Sequence, residues 1–487
     1  MSTPRPAAVI VLAAGEGTRM KSALPKVLHP LGGTTLLGHA VRAARHTGAA
    51  HVSVVVRHAR ERVVEFCTGF DAGLVIADQD DVKGTGRAVE CGLEALPADL
   101  HGTVLVTYGD VPLLTGETLV ALTEAHDASG SAVSVVTAHV PDPTGYGRVV
   151  RDEGGHVARI VEQKDASEDE RALTEINSGI YAFDAALLRD ALARVGTDNA
   201  QGEKYLTDVV QIARAAGREV RAHVVDDAWQ TEGVNDRVQL ATLGRVLNER
   251  VCERHMRAGV TIVDPASTWI DVDVSIGQDT TVLPCTQLLG ATTIGAGAVV
   301  GPEVTLTDTE VGDGAQVQRA VALLAVVGDG ATVGPYSYLR PGTRLGARGK
   351  IGGFVETKNA EIGDGAKVPH LTYAGDVTIG EGANIGAGTI FANYDGVAKH
   401  HSRVGAHSFV GSQTVVVSPV EVADGAYVAA GSALTGDVGP GQIAVARGRQ
   451  RNVDGWVARA RAGTPTAEAA ERARTADSSD DTEDTPR

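Results

Sequence analysis

A glycine-rich loop directly after a predicted strand is the first segment of this 487-residue chain that could do chemistry. Leu12–Met20 reads LAAGEGTRM, and Lys26 follows in an LPK segment. Gly15 and Gly17 let the backbone approach a phosphate closely, while Arg19 and Lys26 add positive charge. No GK[ST] follows, so this is not a Walker loop, and it lacks the GxGxxG dinucleotide pattern. The residues indicate phosphate binding, with a plain tight turn as the alternative.

An aspartate at the end of another predicted strand suggests a metal ion. The strand Val104–Thr107 runs into Tyr108, Gly109 and Asp110. A carboxylate at the carboxyl end of a parallel strand lies where α/β proteins bind ligands, and Mg²⁺ prefers oxygen donors. Asp110 is therefore a candidate Mg²⁺ ligand. The alternative is a turn aspartate that caps a helix.

Basic and hydrogen-bonding side chains crowd into one stretch of the second half of the chain. They are Arg340, Lys358, His370, Tyr373, Asn384 and Lys399. In a chain of net charge −17 such a group suits an anionic ligand. His370 is a candidate general base, because an unperturbed imidazole titrates near physiological pH. A structural histidine is the alternative.

The elements that must position this second group repeat every six residues. Aliphatic residues recur at Val404, Val410, Val416, Val422, Val428 and Leu434, and the same spacing runs through Ile276–Val300 and Val327–Ile351. A helix keeps no face on a period of six, so each hexad is one short strand plus a turn of a parallel β-helix. The repeats begin near Ile262 and fade after Leu434, which predicts roughly ten coils. They break at residues 393–403, where we expect a loop on the binding face.

The first half alternates strand and helix instead. The predicted strands are Ala8–Leu12, Val52–Val56, Leu74–Ile76, Val104–Thr107 and Ala132–Ala138, with helices such as Leu36–Thr47 and Arg87–Ala95 between them. This alternation predicts a mostly parallel sheet covered by helices. A helical face then runs from Asn235 to Met256 and predicts a rigid connector. The predicted division is 1–234, a connector at 235–258, a β-helix at 259–457 and an acidic disordered tail at 458–487.

The composition of the chain limits which classes of partner it can bind and in which compartment it is expected. The strong negative charge argues against nucleic acid or an anionic membrane as the main partner. The apolar start at Ala8–Ala14 is too short to span a bilayer. The spacing of Cys67, Cys91, Cys252 and Cys285 matches no zinc site and favours reduced thiols. We expect a cytoplasmic protein without a membrane or nucleic-acid partner.

Several motifs together resemble a known family. To the glycine loop and YGDVP the chain adds KGTG at Lys83–Gly86, GYG at Gly145–Gly147, EINSGIY at Glu175–Tyr181 and EGVNDR at residues 232–237. In this order, and followed by hexads, they resemble the bacterial bifunctional N-acetylglucosamine-1-phosphate uridylyltransferase/glucosamine-1-phosphate N-acetyltransferase family. The likeness covers residues 7 to 457. It implies an α/β fold with a Rossmann-like nucleotidylyltransferase domain and a left-handed parallel β-helix, assembled as a homotrimer.

The resemblance also implies roles for the matching residues of the first half. Mg²⁺ would be held by Asp110 and Asn235. N-acetylglucosamine-1-phosphate would be contacted by Gly147, Glu162, Asn177 and Asn235. The nucleotide UTP would be bound by Leu12, Ala13, Ala14, Gly15, Lys26, Gln79, Gly84, Thr85, Tyr108, Gly109 and Asp110, with Gln79, Gly84 and Thr85 reading the uracil. Two positions depart from the family: Glu16 stands where Lys is frequent, and Arg87 stands where His is common.

In the second half the resemblance makes His370 the base of acetyl transfer. Glucosamine-1-phosphate would be held by Arg340, Lys358, Tyr373 and Asn384. Acetyl-CoA would lie along Ala387, Asn393, Tyr394, Ser412, Ala430 and Arg447, and Lys399 would reach a neighbouring subunit. Two other interpretations stay open: a nucleotidylyltransferase with a passive β-helix, and a nucleotide-sensing scaffold without catalysis. The residue that stabilises the thioester oxyanion is not identified by the sequence.

Overall fold

The computed structural model describes residues 4–199 and 201–480. Its N-terminal half is built on a nine-stranded sheet. The path across that sheet is Val220–Val224, Val133–His139, Glu175–Asp184, Thr103–Tyr108, Ala8–Leu12, His51–Val56 and Val75–Asp78, and Gly147–Arg151 and Val157–Val161 extend it beyond Glu175–Asp184. Each of the five predicted strands is present, and no strand end differs from its predicted position by more than two residues.

The centre of the sheet is parallel and buried on both faces. Ala8–Leu12 reads AVIVL, is buried throughout, and pairs in parallel with His51–Val56 and Thr103–Tyr108. A strand covered on both faces needs a continuous apolar run, which is why its pattern does not alternate. Glu175–Asp184 pairs antiparallel with both of its neighbours, so the sheet is mixed. This strand is not among the five predicted strands, because the polar residues Asn177 and Ser178 interrupt its apolar run.

Helices cover both faces of the sheet. They span Leu36–His46, Arg60–Phe70, Thr85–Glu94, Gly116–Ser129, Glu168–Arg171, Ala185–Arg194 and Asp208–Ala215, and single 3₁₀ turns lie at Thr18–Met20, Lys26–Leu28 and Ala228–Thr231. A two-stranded hairpin, Pro30–Leu31 with Thr34–Thr35, projects toward the second half of the chain. The carbonyl of Gly32 in that hairpin accepts a hydrogen bond from the amide of Val272 at 3.0 Å, so the hairpin joins the two halves.

The predicted connector is the helix Arg237–Arg257. Asp236 caps it by accepting hydrogen bonds from two backbone amides of the first turn. One face is buried, and Asn248 on that face bonds the first coil by donating to the carbonyl of Thr268 at 2.7 Å and accepting from the amide of Ile270 at 3.0 Å. The helix is therefore docked on the first coil rather than free of it.

The C-terminal half is a coil of short parallel strands arranged on three faces. One face is an eleven-stranded sheet: Thr261–Ile262, Thr281–Val282, Val299–Val300, Gln316–Val317, Thr332–Val333, Lys350–Gly353, Lys367–His370, Asn384–Ile385, Phe409–Val410, Tyr427–Val428 and Ile443–Ala444. The second face holds Trp269–Ile270, Gln287–Leu289, Thr305–Thr307, Ala320–Leu323, Ser337–Leu339, Ile390–Ala392, Val415–Val417 and Ala433–Leu434. The third holds Ser275–Ile276, Thr293–Ile294, Glu310–Val311, Val326–Val327, Arg344–Leu345, Ser402–Val404 and Glu421–Val422. Glu356–Ile362 and Tyr373–Ile379 turn a corner and belong to both.

The hexad positions form the interior of this coil. The six aliphatic residues from Val404 to Leu434 are each at most 3% exposed. Burying a side chain of this size stabilises the fold by roughly 1.5–3 kcal/mol, so the repeat carries much of the stability of the coil. The strands pair in parallel with their counterparts in the next coil, which is consistent with the left-handed β-helix that the resemblance implies. The break at residues 393–403 is a loop closed by an antiparallel bridge between Tyr394 and Lys399.

The chain beyond the coil differs from the predicted disordered tail. The short helix Trp456–Ala460 is followed by a longer helix, Pro465–Asp480. That segment is rich in Ala, Glu and Arg, which favour helix even without an apolar face. Residues 1–3 of the predicted first domain and residues 481–487 of the predicted tail lie outside the described residues. Within the described part of the chain, every helix is too short or too polar to cross a bilayer.

Candidate active sites

A cleft of about 420 Å³ opens at the carboxyl ends of the central parallel strands. It is lined by all of the predicted nucleotide-binding residues except one: Leu12, Ala13, Ala14, Gly15, Lys26, Gln79, Gly84, Thr85, Tyr108 and Asp110. The exception, Gly109, lies just behind the lining, where its amide donates to the carbonyl of Leu12 at 2.9 Å. Parallel strands end at one edge of the sheet, so loops distant in sequence converge there.

Two cations and two oxygen donors meet at one end of this cleft. The ammonium of Lys26 forms an ion pair with the carboxylate of Asp110 and lies 3.4 Å from the amide oxygen of Asn235. Arg19 donates to the same amide oxygen at 2.8 Å. Asp110 follows one strand and Asn235 precedes the connector helix, so this cluster also ties the start of the connector to the sheet.

Gly17 makes the position of Lys26 possible. Its φ of +63° lies in the left-handed region, and a Cβ at this position would lie 2.5 Å from the Cβ of Lys26. A side chain here would therefore strain the backbone and push Lys26 away from Asp110. Gly17 of the predicted phosphate loop therefore allows Lys26 to pack closely against the loop. The sequence alone did not distinguish this role from contact with a phosphate.

The donor set of this cluster fits a magnesium ion. Asp110 offers a carboxylate and Asn235 an amide oxygen, which are the hard donors that Mg²⁺ takes. Both oxygens face one point, because the single ammonium of Lys26 reaches both. Among the residues that the structure describes, three or more His, Cys, Asp or Glu side chains nowhere gather as a metal site. Two protein donors suit an ion whose other ligands are water and substrate phosphate.

Three of the four predicted sugar-binding residues lie on adjacent strands next to the cleft or directly after one, and the fourth, Asn235, lies beside Lys26. Asn177 pairs directly with Gly147. The strands Gly147–Arg151 and Val157–Val161 are antiparallel and pair Arg148 with Val161, so Glu162, the next residue, lies opposite Gly147. Tyr181 donates to the amide oxygen of Asn177 at 2.8 Å, which orients that side chain. Burial raises the pKa of Glu162, and the negative charges of Asp165 and Asp208 act in the same direction.

The sequence analysis missed several residues that line the nucleotide cleft. They are Glu16, Val27, Arg57, Lys83, Ala88 and Glu203. Arg57 follows the strand His51–Val56, so the rule that ligands bind beyond strand ends could have found it. Glu203 comes from a distant segment and carries no local signal. Arg87, which departs from the family, lies on the helix Thr85–Glu94 behind the cleft and is paired with carboxylates.

Cationic groups gather on one face of the coil in the second half. The backbone amide of Arg340 donates to the carbonyl of Thr357 in the next coil, so Arg340 lies one coil away from Lys358 on the same face. Its guanidinium donates to Glu356 at 2.9 Å. The neighbouring ammonium of Lys399 lowers the pKa of Lys358, and desolvation and the guanidinium of Arg340 act in the same direction. Lys399 of the inserted loop therefore reaches Lys358 within a single chain.

A column of residues at one corner of the coil contains the predicted base. Backbone hydrogen bonds between successive coils stack Gly353, His370, Ala387, Ser412 and Ala430, which we call the His370 column. Side chains of His370, Ser412 and Ala430 are exposed rather than turned into the coil. Arg447 lies beyond the last member, 3.8 Å from where a Cβ of Gly431 would be. The predicted base and most of the predicted acetyl-CoA residues thus share one line.

The remaining predicted residues are divided between two faces. Tyr373 pairs with Glu356 of the preceding coil on the second face, whereas Asn384 belongs to the eleven-stranded sheet. Asn393 is buried and donates to Asp376 at 2.5 Å, and Tyr394 is exposed in the inserted loop. Within one chain Asn384 therefore lies on a different face from Lys358 and Tyr373.

Comparison with known proteins agrees with this architecture. The family model of the MobA-like NTP transferase domain matches residues 9–177, which hold most of the nucleotide cleft. The chain is 60% identical to the bifunctional protein GlmU of Kineococcus radiotolerans, over 96% of this chain and 95% of the relative. It is 58% identical to the bifunctional protein GlmU of Streptomyces avermitilis, over 97% of this chain and 98% of that relative. The family resemblance in the motifs is thereby confirmed: this chain belongs to the GlmU family of bifunctional proteins.

Proposed function

We propose that this protein carries out two consecutive reactions at two separate sites. Residues 259–457 transfer an acetyl group from acetyl-CoA to glucosamine-1-phosphate. Residues 1–234, with Asn235, then transfer uridylyl from UTP to the N-acetylglucosamine-1-phosphate formed, and pyrophosphate is released. The observation that carries the proposal is the presence, in one member of a family of bifunctional proteins, of both the Lys26–Asp110–Asn235 cluster and the His370 column.

In the acetyl transfer, His370 accepts a proton from the sugar amine as the amine nitrogen attacks the thioester carbonyl. The new C–N bond forms, the C–S bond breaks, and coenzyme A leaves as a thiol once its sulfur has taken up the proton held by His370. Strands of neighbouring coils are about 4.8 Å apart, so the column from His370 to Ala430 spans roughly 14 Å. An extended acyl carrier can lie along it, with its phosphates toward Arg447. Arg340 and Lys358 supply positive charge for the phosphate of the sugar.

In the uridylyl transfer, a phosphate oxygen of the sugar phosphate attacks the α-phosphorus of UTP. That P–O bond forms while the bond to the β-phosphate breaks, and pyrophosphate leaves. Mg²⁺ held by Asp110 and Asn235 would neutralise charge on the phosphates. Lys26 and Arg19 offset the remaining negative charge, since both already lie at this end of the cleft. Gly147, Glu162 and Asn177 orient the sugar on the adjacent strands.

A homotrimer is the assembly that we propose, with each acetyl-transfer site formed between subunits. Asn384 and Lys358 lie on different faces of one chain, so a second chain is needed to bring such groups around one sugar. Next to the His370 column a ladder of apolar side chains is exposed: Tyr336, Phe354 and Leu371 are 57%, 62% and 59% exposed, and the first two rings stack at 5.3 Å. An exposed ladder of this kind suits coverage by another subunit.

Cytoplasmic location is part of the proposal. Cys67, Cys91 and Cys252 are buried free thiols and Cys285 is an exposed one, which suits a reducing compartment. The alternative of a passive β-helix is disfavoured by the exposed His370 and the cations around Lys358, which a purely structural coil does not require. A scaffold without catalysis is disfavoured by the intact cluster of Lys26, Asp110 and Asn235.

A coupled assay tests the proposal. The full chain is supplied with glucosamine-1-phosphate, acetyl-CoA, UTP and Mg²⁺, and free thiol and pyrophosphate are followed separately. We expect thiol release first and pyrophosphate afterwards. With N-acetylglucosamine-1-phosphate in place of glucosamine-1-phosphate, pyrophosphate should form without thiol. Pyrophosphate release with no thiol release under any condition would instead support the passive β-helix.

A further inference from the structure

A network of charged side chains lies behind the nucleotide cleft, centred on Arg87. Its guanidinium donates twice to Asp80, at 3.0 and 2.8 Å, and also to Glu90 at 2.7 Å and Glu94 at 3.0 Å. Asp80 belongs to the loop of residues 79–84, whereas Arg87, Glu90 and Glu94 lie on the helix Thr85–Glu94. Arg87 therefore holds the loop against the helix that follows it.

Lys204 extends this network to a third segment of the chain. Its ammonium pairs with Glu90 at 2.8 Å, and its side chain is only 12% exposed. Its backbone amide donates to the carbonyl of Lys83 at 2.9 Å, and its carbonyl accepts from the amide of Gly86 at 2.8 Å. The segment around Lys204 is thus bound to the KGTG turn by backbone and by side chain.

The two segments pack so closely that there is no room for a side chain at Gly84. A Cβ at Gly84, whose φ is +116°, would lie 2.5 Å from the backbone nitrogen of Lys204. Glu203, the neighbour of Lys204, lines the nucleotide cleft. A shift of the Lys204 segment would therefore move both the turn and one wall of the cleft.

The pKa of Glu90 is consistent with an ion pair between this carboxylate and Lys204. Burial pushes the pKa of Glu90 upward, but hydrogen bonds from Lys204 and Arg87 outweigh it, so the net shift is downward. The carboxylate is ionised at neutral pH. With Glu90 replaced by a neutral residue, the largely buried ammonium of Lys204 would lose the carboxylate with which it pairs.

We propose that Lys204, Glu90 and Arg87 are positioning residues for recognition of the pyrimidine base of the nucleoside triphosphate. The inference rests on the proposed assignment of Gln79, Gly84 and Thr85 to the uracil. The side-chain amide of Gln79 donates to the carbonyls of Val82 at 3.0 Å and Gly84 at 3.2 Å, so the loop orients it. Lys204, Glu90 and Arg87 act through that loop, and none of these three is among the residues that line the cleft.

The test uses the full chain with Lys204→Met, Glu90→Gln and the double variant, together with Lys204→Arg, which keeps the charge. Pyrophosphate release is measured with UTP and with CTP, along with acetyl transfer and thermal unfolding. The matched control is Arg194→Met, because Arg194 forms an exposed ion pair with Asp190 on a different helix, outside the network of Arg87, Glu90 and Lys204.

We expect each single variant to raise KM for UTP about tenfold, with kcat changed less than about twofold. The preference for UTP over CTP should fall, the double variant should resemble the single ones, and Lys204→Arg should recover most of the loss. Acetyl transfer and the Arg194→Met control should be unchanged.

Lower thermal stability with an unchanged KM would overturn the inference, because it would assign the network to folding alone. Additive effects of Lys204→Met and Glu90→Gln on KM would also overturn it, since uncoupled side chains do not act through one loop. Failure of the unmodified protein to release pyrophosphate from UTP would instead reject the proposed function.

Discussion

The nucleotide site and the acetyl-transfer site of this protein are constructed in opposite ways. In the first, Lys26, Asp110 and Asn235 already contact one another within a single chain. In the second, His370 is exposed at a corner, and Asn384 lies on a different face from Lys358. The first site is complete at the level of the fold, whereas the second presents its groups on an outer surface.

The cause of the difference is the geometry of the two supports. The parallel strands at the centre of the mixed sheet all end at one edge, so the loops that follow them converge on one cleft. A solenoid stacks its coils in register, so equivalent positions form columns that run along the surface. The His370 column is of this second kind. A column can bind an extended ligand, but it needs another surface to enclose that ligand.

The largest expected effect separates the two sites directly. His370→Ala should reduce acetyl transfer by about 10²–10⁴-fold, because a general base contributes on this scale, and should leave uridylyl transfer unchanged. Thiol and pyrophosphate release are measured on the same preparation. His407→Ala is the control, since His407 is exposed on another solenoid turn. Equal loss of both activities would contradict the division into two sites.

Asp110→Ala should have the reverse effect. Loss of the carboxylate removes a metal donor and the partner of Lys26, so uridylyl transfer should fall by at least about 10²-fold while acetyl transfer continues. Chelation of Mg²⁺ should reproduce this selectivity in the unmodified protein. Pyrophosphate release that still responds to Mg²⁺ in the variant, with unchanged affinity, would remove Asp110 from the metal site.

A smaller effect tests whether the nucleotide site depends on close packing. Gly17→Ala should lower kcat/KM for uridylyl transfer by about tenfold, because the added Cβ displaces Lys26, and backbone strain should cost about 1–2 kcal/mol of stability. Gly130→Ala is the matched control: Gly130 has φ +62°, nearly that of Gly17, but nothing within 4 Å of the added Cβ. If both variants lose uridylyl transfer alike, strain rather than displacement of Lys26 is responsible.

The smallest effect concerns the pH dependence of stability. Burial raises the pKa of Glu162 above its ordinary value of 4.5, so the folded state holds this proton more tightly than the unfolded chain does. Its stabilising contribution is complete below pH 4.5 and is lost as pH rises through the folded-state pKa. Glu162→Gln should therefore raise Tm by about 2 °C at pH 7.5 and less at pH 4.5. Glu124→Gln, on an exposed helix position, should show no such difference.

The sequence predicted the support of each site better than the site itself. The hexads from Val404 to Leu434 specified a coil because a repeat of six fits no other regular element, and the run Ala8–Leu12 specified a buried strand. The strand Glu175–Asp184 was missed because its polar residues interrupt the apolar run. The helix at Pro465–Asp480 was missed because we read a polar, low-aliphatic segment as disordered, although helix propensity alone favours it.

Sequence by itself determined which residues are available for chemistry: Lys26, Asp110 and His370 stand in motifs whose spacing survives in the fold. Only the tertiary structure decided that Asn235 joins Lys26 across more than two hundred residues, that Lys204 is bound to the KGTG turn, and that His370 shares a column with Ser412. The reason is physical. Local patterns encode period and burial, whereas contacts between distant segments depend on strand order and on register between coils, which no short segment contains.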